Sequence, residues 1–143
     1  MANALFTPAK EGLLDGSLDL DTATIKAVLV RSYTFSAAHK FLTDVTGAGG
    51  VLAGTPQTLA GKSVVGGVFD ANDVTFTAVA ANASGHSVLV YQTSAAAGGA
   101  DLATSAQRLI GYYDTGTLLP VTPNGGDITV AWDSGANRIF AIS

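Results

Sequence analysis

The 143-residue sequence has no cysteine, which excludes disulfides and cysteine-ligated zinc and leaves the fold to packing alone. Charge is also scarce. Seven Lys and Arg and 11 Asp and Glu make up 13% of the chain, against about 25% in an average soluble domain. Lys10, Lys26, Arg31, Lys40, Lys62, Arg108 and Arg138 stand singly, so no basic patch exists to neutralise phosphates and no nucleic-acid partner is expected. No stretch approaches the ~20 consecutive apolar residues that span a bilayer, so no membrane association is expected. Residues 1–6 show neither a basic n-region nor a long apolar run; no secretory signal is expected, and synthesis in a cytoplasm follows. Glutamate is nearly missing as well: Glu11 is the one Glu beside ten Asp. Asp favours turns and caps over helix interiors, which implies many turns and little helix.

In place of charge stand 24 Ala, 17 Gly and 16 Thr, with 48% hydrophobic residues and a net charge of −4. That balance excludes intrinsic disorder, and the length suits a single domain over residues 1–143. Thr7-Pro8 opening and Gly16 closing a short apolar stretch predict one helix. Ser36 followed by Ala37-Ala38-His39-Lys40-Phe41-Leu42 predicts a second helical turn. Strands are expected over 25–31, 57–65, 74–79, 87–92, 107–113, 127–133 and 137–142, each β-branched or aromatic and bounded by turn residues. Ile128, Val130 and Trp132 alternate with Thr129 and Ala131, the pattern of a half-buried strand. Asp133-Ser134-Gly135-Ala136-Asn137 reads as a hairpin turn pairing the last two strands, with Gly135 at positive φ. These elements together indicate an all-β fold, a β-sandwich or jelly-roll-like barrel, with one or two short helices near the N-terminus.

Motifs with chemistry are weak. Gly61-Lys62-Ser63 matches the end of a phosphate-binding loop, but Pro56 stands where that loop needs Gly, and strand rather than helix follows. It reads better as a hairpin turn carrying an exposed Lys. His39 and His86 have no second ligand at metal spacing. No Gly-x-Ser-x-Gly elbow singles out a nucleophile. Asp15, Asp19 and Asp21, and Asp70, Asn72 and Asp73, cluster in loops but lack the calcium-loop pattern, and Asx turn capping accounts for them. No catalytic residue, cofactor or metal is therefore expected, and the chain does not read as an enzyme. Tyr112 and Tyr113 are adjacent, so on a strand one would face in and one out. With Tyr33, Tyr91 and Trp132 they could form a carbohydrate-stacking platform, but core and interface packing accounts for them better, since large aromatics dominate both.

Several stretches resemble the small structural proteins of tailed bacteriophages. They are Met1-Ala2-Asn3-Ala4-Leu5-Phe6, Gly16-Ser17-Leu18-Asp19-Leu20, Ile25-Lys26-Ala27-Val28-Leu29-Val30, Ala38-His39-Lys40-Phe41-Leu42 and Leu59-Ala60-Gly61-Lys62-Ser63-Val64. The likeness is clearest from Leu119-Pro120-Val121-Thr122-Pro123-Asn124-Gly125-Gly126 through Trp132 to Arg138-Ile139-Phe140-Ala141-Ile142. The resemblance implies a virion component and names no chemistry. Joined to the low charge, it leads to a capsid decoration (cement) protein as the expected function. Such a protein would form a homo-oligomer, a trimer by preference, clamping the major capsid protein in the virion. Residues 1–6 would be an extended arm anchored by Leu5 and Phe6, and Tyr112 and Tyr113 complete the candidate interface. The alternatives are a tail, head–tail connector or fibre component, and a carbohydrate-binding adhesion module using Tyr112, Tyr113 or Trp132.

Overall fold

A computed structural model describes residues 3–95, 98–115, 119–135 and 138–142. The elements run β1 (Ala4–Leu5), α1 (Thr7–Asp15), β2 (Thr24–Arg31), α2 (Leu42–Gly47), β3 (Val51–Thr58), β4 (Ser63–Val65), β5 (Val68–Asp70), β6 (Val74–Phe76), β7 (Ser87–Ser94), β8 (Arg108–Tyr113), β9 (Ile128–Val130) and β10 (Phe140–Ala141). The fold is all-β with two short helices. A five-stranded antiparallel sheet in the order β1-β8-β7-β2-β3 is accompanied by a three-stranded sheet, β10-β5-β4, and the two-stranded ribbon β6-β9.

The inner strands β2, β7 and β8 of the large sheet are covered on both faces, which explains why β2 and β7 read as apolar runs rather than alternating ones, while the edge strand β3 is largely exposed. All eight residues of β7 are buried. The register sets Val28, Leu89 and Tyr112 side by side, and Leu29, Val88 and Tyr113 one step along. The Tyr112 face carries an aromatic cluster. Phe6 packs on Phe35 with ring centroids 5.0 Å apart, Phe35 stacks on Tyr112 at 5.5 Å, and Tyr33 meets Tyr112 edge-on at 5.6 Å. On the opposite face Tyr113 meets Trp132, just past β9, edge-on at 5.8 Å. β6 and β9 pair as Val74↔Val130 and Phe76↔Ile128; these four side chains are buried while Thr75 and Thr129 face water, joined hydroxyl to hydroxyl at 2.9 Å.

Four expectations change. The second helix lies at Leu42–Gly47 rather than 36–42, because the Asp44 carboxylate accepts the N–H groups of Lys40 and Phe41 at 2.8 Å and starts the helix there. The expected strand 57–65 is two strands in two sheets. Gly61, at φ +62, bends the chain between them, so Gly61-Lys62-Ser63 is no hairpin turn. β3 also begins earlier, at Val51, and tolerates Pro56 because it is an edge strand. The last two strands do not pair: β9 joins β6 and β10 joins β5, each finding a partner with matching apolar residues far along the chain. Gly135 does not take a positive φ; Arg138, at φ 49, does. The other residues of that expected turn, 136 and 137, lie outside the described ones.

Candidate functional site

The expected arm is part of the domain from Ala4 onward. Ala4 and Leu5 pair with Tyr112 and Gly111 on β8, and the Phe6 N–H donates to the Ile110 carbonyl at 3.1 Å. Phe6 is fully buried, so the anchor assigned to a neighbour is used inside the chain; residues 1 and 2 lie outside the described ones. Tyr112 and Tyr113 do point to opposite faces, but both are buried because both faces are covered. Tyr33 and Tyr91 are buried too. A stacking platform built from the tyrosines is therefore not on the surface. Trp132 alone of the set is half-exposed, lining a cleft of about 280 Å³ with Asn3, Thr115, Asp133 and Arg138. Its indole N–H is taken by the Asn72 carbonyl at 3.1 Å.

The polar residues singled out by sequence hold structural contacts. His39 Nδ1 lies 2.8 Å from the Tyr33 hydroxyl, and buried His86 Nδ1 lies 2.8 Å from the Ser84 carbonyl. The Lys62 ammonium donates to the Ala23 carbonyl. The Asp19 carboxylate accepts from the Thr22 hydroxyl, the Thr22 N–H and the Asp21 N–H, and these bonds hold its pKa below the usual value. Asp15 accepts the Ser17 N–H at 2.8 Å, while Asp73 accepts the Trp132 N–H at 2.9 Å. Asp70 sits 3.7 Å from Arg138. Among the described residues no three His, Asp or Glu side chains are grouped to hold a metal ion, and no helix is long and apolar enough to cross a membrane. Burial pushes the Tyr91 hydroxyl up to about 12, with the Asp101 charge adding to it, and pushes Tyr113 higher still.

What the sequence reading missed is an exposed apolar surface. An amphipathic helix ordinarily buries its large apolar residues. α1 departs from this: its buried positions are Ala9 and Gly12, Leu13 is half-buried against the core, and Leu14 is 88% exposed. Gly12 is small for a reason. A Cβ there would lie 2.8 Å from Arg108 Nη2 and 2.9 Å from Leu18 Cγ. Arg108 is held in that place by the Pro8 carbonyl, 2.9 Å from Nη2. Around Leu14 lie Leu5, Leu13, Ala141 and Ile142, and on the other side of Leu13 lie Leu18, Leu20 and Val64. Ile142 is 59% and Val65 74% exposed. Val64 and Val65 belong to β4, whose outer edge has no strand beside it among the described residues. The signal was present in the sequence as Leu13-Leu14, but nothing local tells which face of α1 is inward.

No protein-family model matches the chain, and no curated protein shows significant similarity to it.

Proposed function

We propose that this protein is a structural component of a bacteriophage virion, a decoration protein seated on the outside of the head shell. The observation that carries this reading is the exposed apolar surface around Leu14, Val65 and Ile142 on a domain with only 13% charged residues. Charge depletion and large exposed apolar side chains are properties of surfaces that become covered. The resemblance of the chain to small phage structural proteins supports the virion as the place where that happens. The role is mechanical: binding to the assembled major capsid protein would stabilise the shell by mass action.

Copy number tests the reading. Quantitative mass spectrometry of purified virions is expected to find this chain in hundreds of copies, near the stoichiometry of the major capsid protein. A ring number of about 6 or 12 would move it to the tail or connector. Absence from virions would overturn the reading.

A further inference from the structure

We infer that the face formed by α1, β4 and β10 is a two-fold contact between two copies of this chain. The centre of the face is apolar. Leu14 stands on the outer side of α1 beside the half-buried Leu13, flanked by Ile142 from the chain beyond β10 and by Val64 from β4. The two ends carry opposite charge. Lys10, one turn before Leu13 and Leu14, lines the end that holds Ile142. Asp21 lines the other end, together with Asp19. The Asp19 carboxylate is occupied by Thr22 and lies in the field of Lys62, which leaves Asp21 as the free anion. Neither the Lys10 ammonium nor the Asp21 carboxylate has a partner among the described residues.

A two-fold axis maps one surface onto itself, so residue i of one copy meets residue j of the other and the reverse. With the axis through Leu13 and Leu14, the Lys10 end of each copy falls on the Asp21 end of the other. Both free charges are then paired twice over, and the apolar centre is dry. A heterologous partner would have to supply the same charge order by coincidence; a second copy supplies it by symmetry. This geometry also explains the exposed leucine: Leu14 faces out because its partner is the Leu14 region of the other copy. The inference rests on the reading above in that this face becomes covered, and it names a second copy as the cover; it is tested on the purified chain without virions. Failure here leaves the copy-number test standing, and the reverse holds too.

Sedimentation equilibrium of the full chain is expected to show a dimer. Leu14→Asp, at a position too exposed to disturb the fold, is expected to weaken it by about 100-fold or more, since two leucines leave the contact. Lys10→Glu and Asp21→Lys are each expected to weaken it by about tenfold, and the double reversal to restore it. The absence of native cysteine allows a direct check. Leu14→Cys is expected to give a disulfide-linked dimer on mild oxidation, while Val51→Cys, exposed on β3 outside this face, is not. A wild-type monomer at high concentration, a trimer, an oligomer indifferent to Leu14→Asp, or a double reversal no better than the single ones would each overturn the inference.

Discussion

Tyr112 and Tyr113 differ by one residue and meet opposite faces of the same strand. Tyr112 reaches across to β7, where its hydroxyl donates to Ser87 Oγ at 3.1 Å. The Tyr113 hydroxyl is buried with no hydrogen-bond partner among the described residues. It lies back over Gly111, where a Cβ would come within 2.6 Å of it, so the residue beneath that ring has to be glycine. The two phenols should therefore respond differently to loss of the oxygen. Tyr112→Phe is expected to lower stability by about 1 kcal/mol, because Ser87 loses a buried partner. Tyr113→Phe is expected to leave stability unchanged or raise it by up to ~1 kcal/mol, because an unsatisfied buried group is removed. Urea denaturation midpoints of the two variants would show the difference directly. Equal losses would mean that the Tyr113 hydroxyl is satisfied in solution. The adjacency of the tyrosines was plain in the sequence, but its consequence was not: alternation says that one ring points each way, and only the layers on both sides of β8 make both of them core.

At the scale of elements, the two helices were read with different success, for different reasons. The bounds of α1 were legible because Pro8 and Gly16 act locally, Pro at the first turn and Gly at φ 82 in the left-handed cap. Thr7, expected as its cap, instead lies inside the helix, and Phe6 takes the cap position with no side-chain bond. The orientation of α1 was not legible, since it depends on Arg108 and Leu18 filling the space above Gly12. α2 was placed a turn too early because Ser36 looks like a cap, whereas Asp44 does the work from inside the helix. Its carboxylate is held below the usual pKa by the N–H groups of Phe41 and Lys40. Asp44→Ala is expected to lower stability by about 1–2 kcal/mol, the usual range for losing a helix N-terminal side-chain acceptor. Thermal unfolding would measure it, and Asp44→Asn, which keeps an acceptor, should recover part of the loss.

For the molecule as a whole, the central feature is a five-stranded sheet whose inner strands β2, β7 and β8 are covered on both faces, and it has a consequence for pH. Tyr91 on β7 and Tyr113 on β8 are buried there, and burial raises both phenols above their ordinary value of 10.0, Tyr91 to about 12. Below pH 10 the folded and unfolded chains both keep these protons. Above it the unfolded chain releases them first, so the folded state holds more protons and stability falls as pH rises. Denaturant midpoints are expected to drop between pH 10 and about 12, the window bounded by the ordinary and the folded Tyr91 values. Tyr91→Phe should shallow that drop. A midpoint that stays level across the window would mean that these rings are open to water.

The sequence by itself determined the class of fold and the positions of most strands, because those rest on local physics: β-branched runs, alternation in 128–132, and turn residues between them. It determined the absence of disulfides outright. The tertiary structure alone decided which strands pair, and it overruled the hairpin between the last two because long-range partners β6 and β5 offered matching apolar faces. It also decided the fate of Phe6. An aromatic near a chain end can serve a neighbour or its own core, and here the pocket beside Phe35 and the β8 edge next to Leu5 were both within the same chain. The exposed face of α1 is of the same kind. Leu13 and Leu14 are equally apolar in sequence, and only the packing beneath Gly12 determines that Leu14 is left for something else to cover.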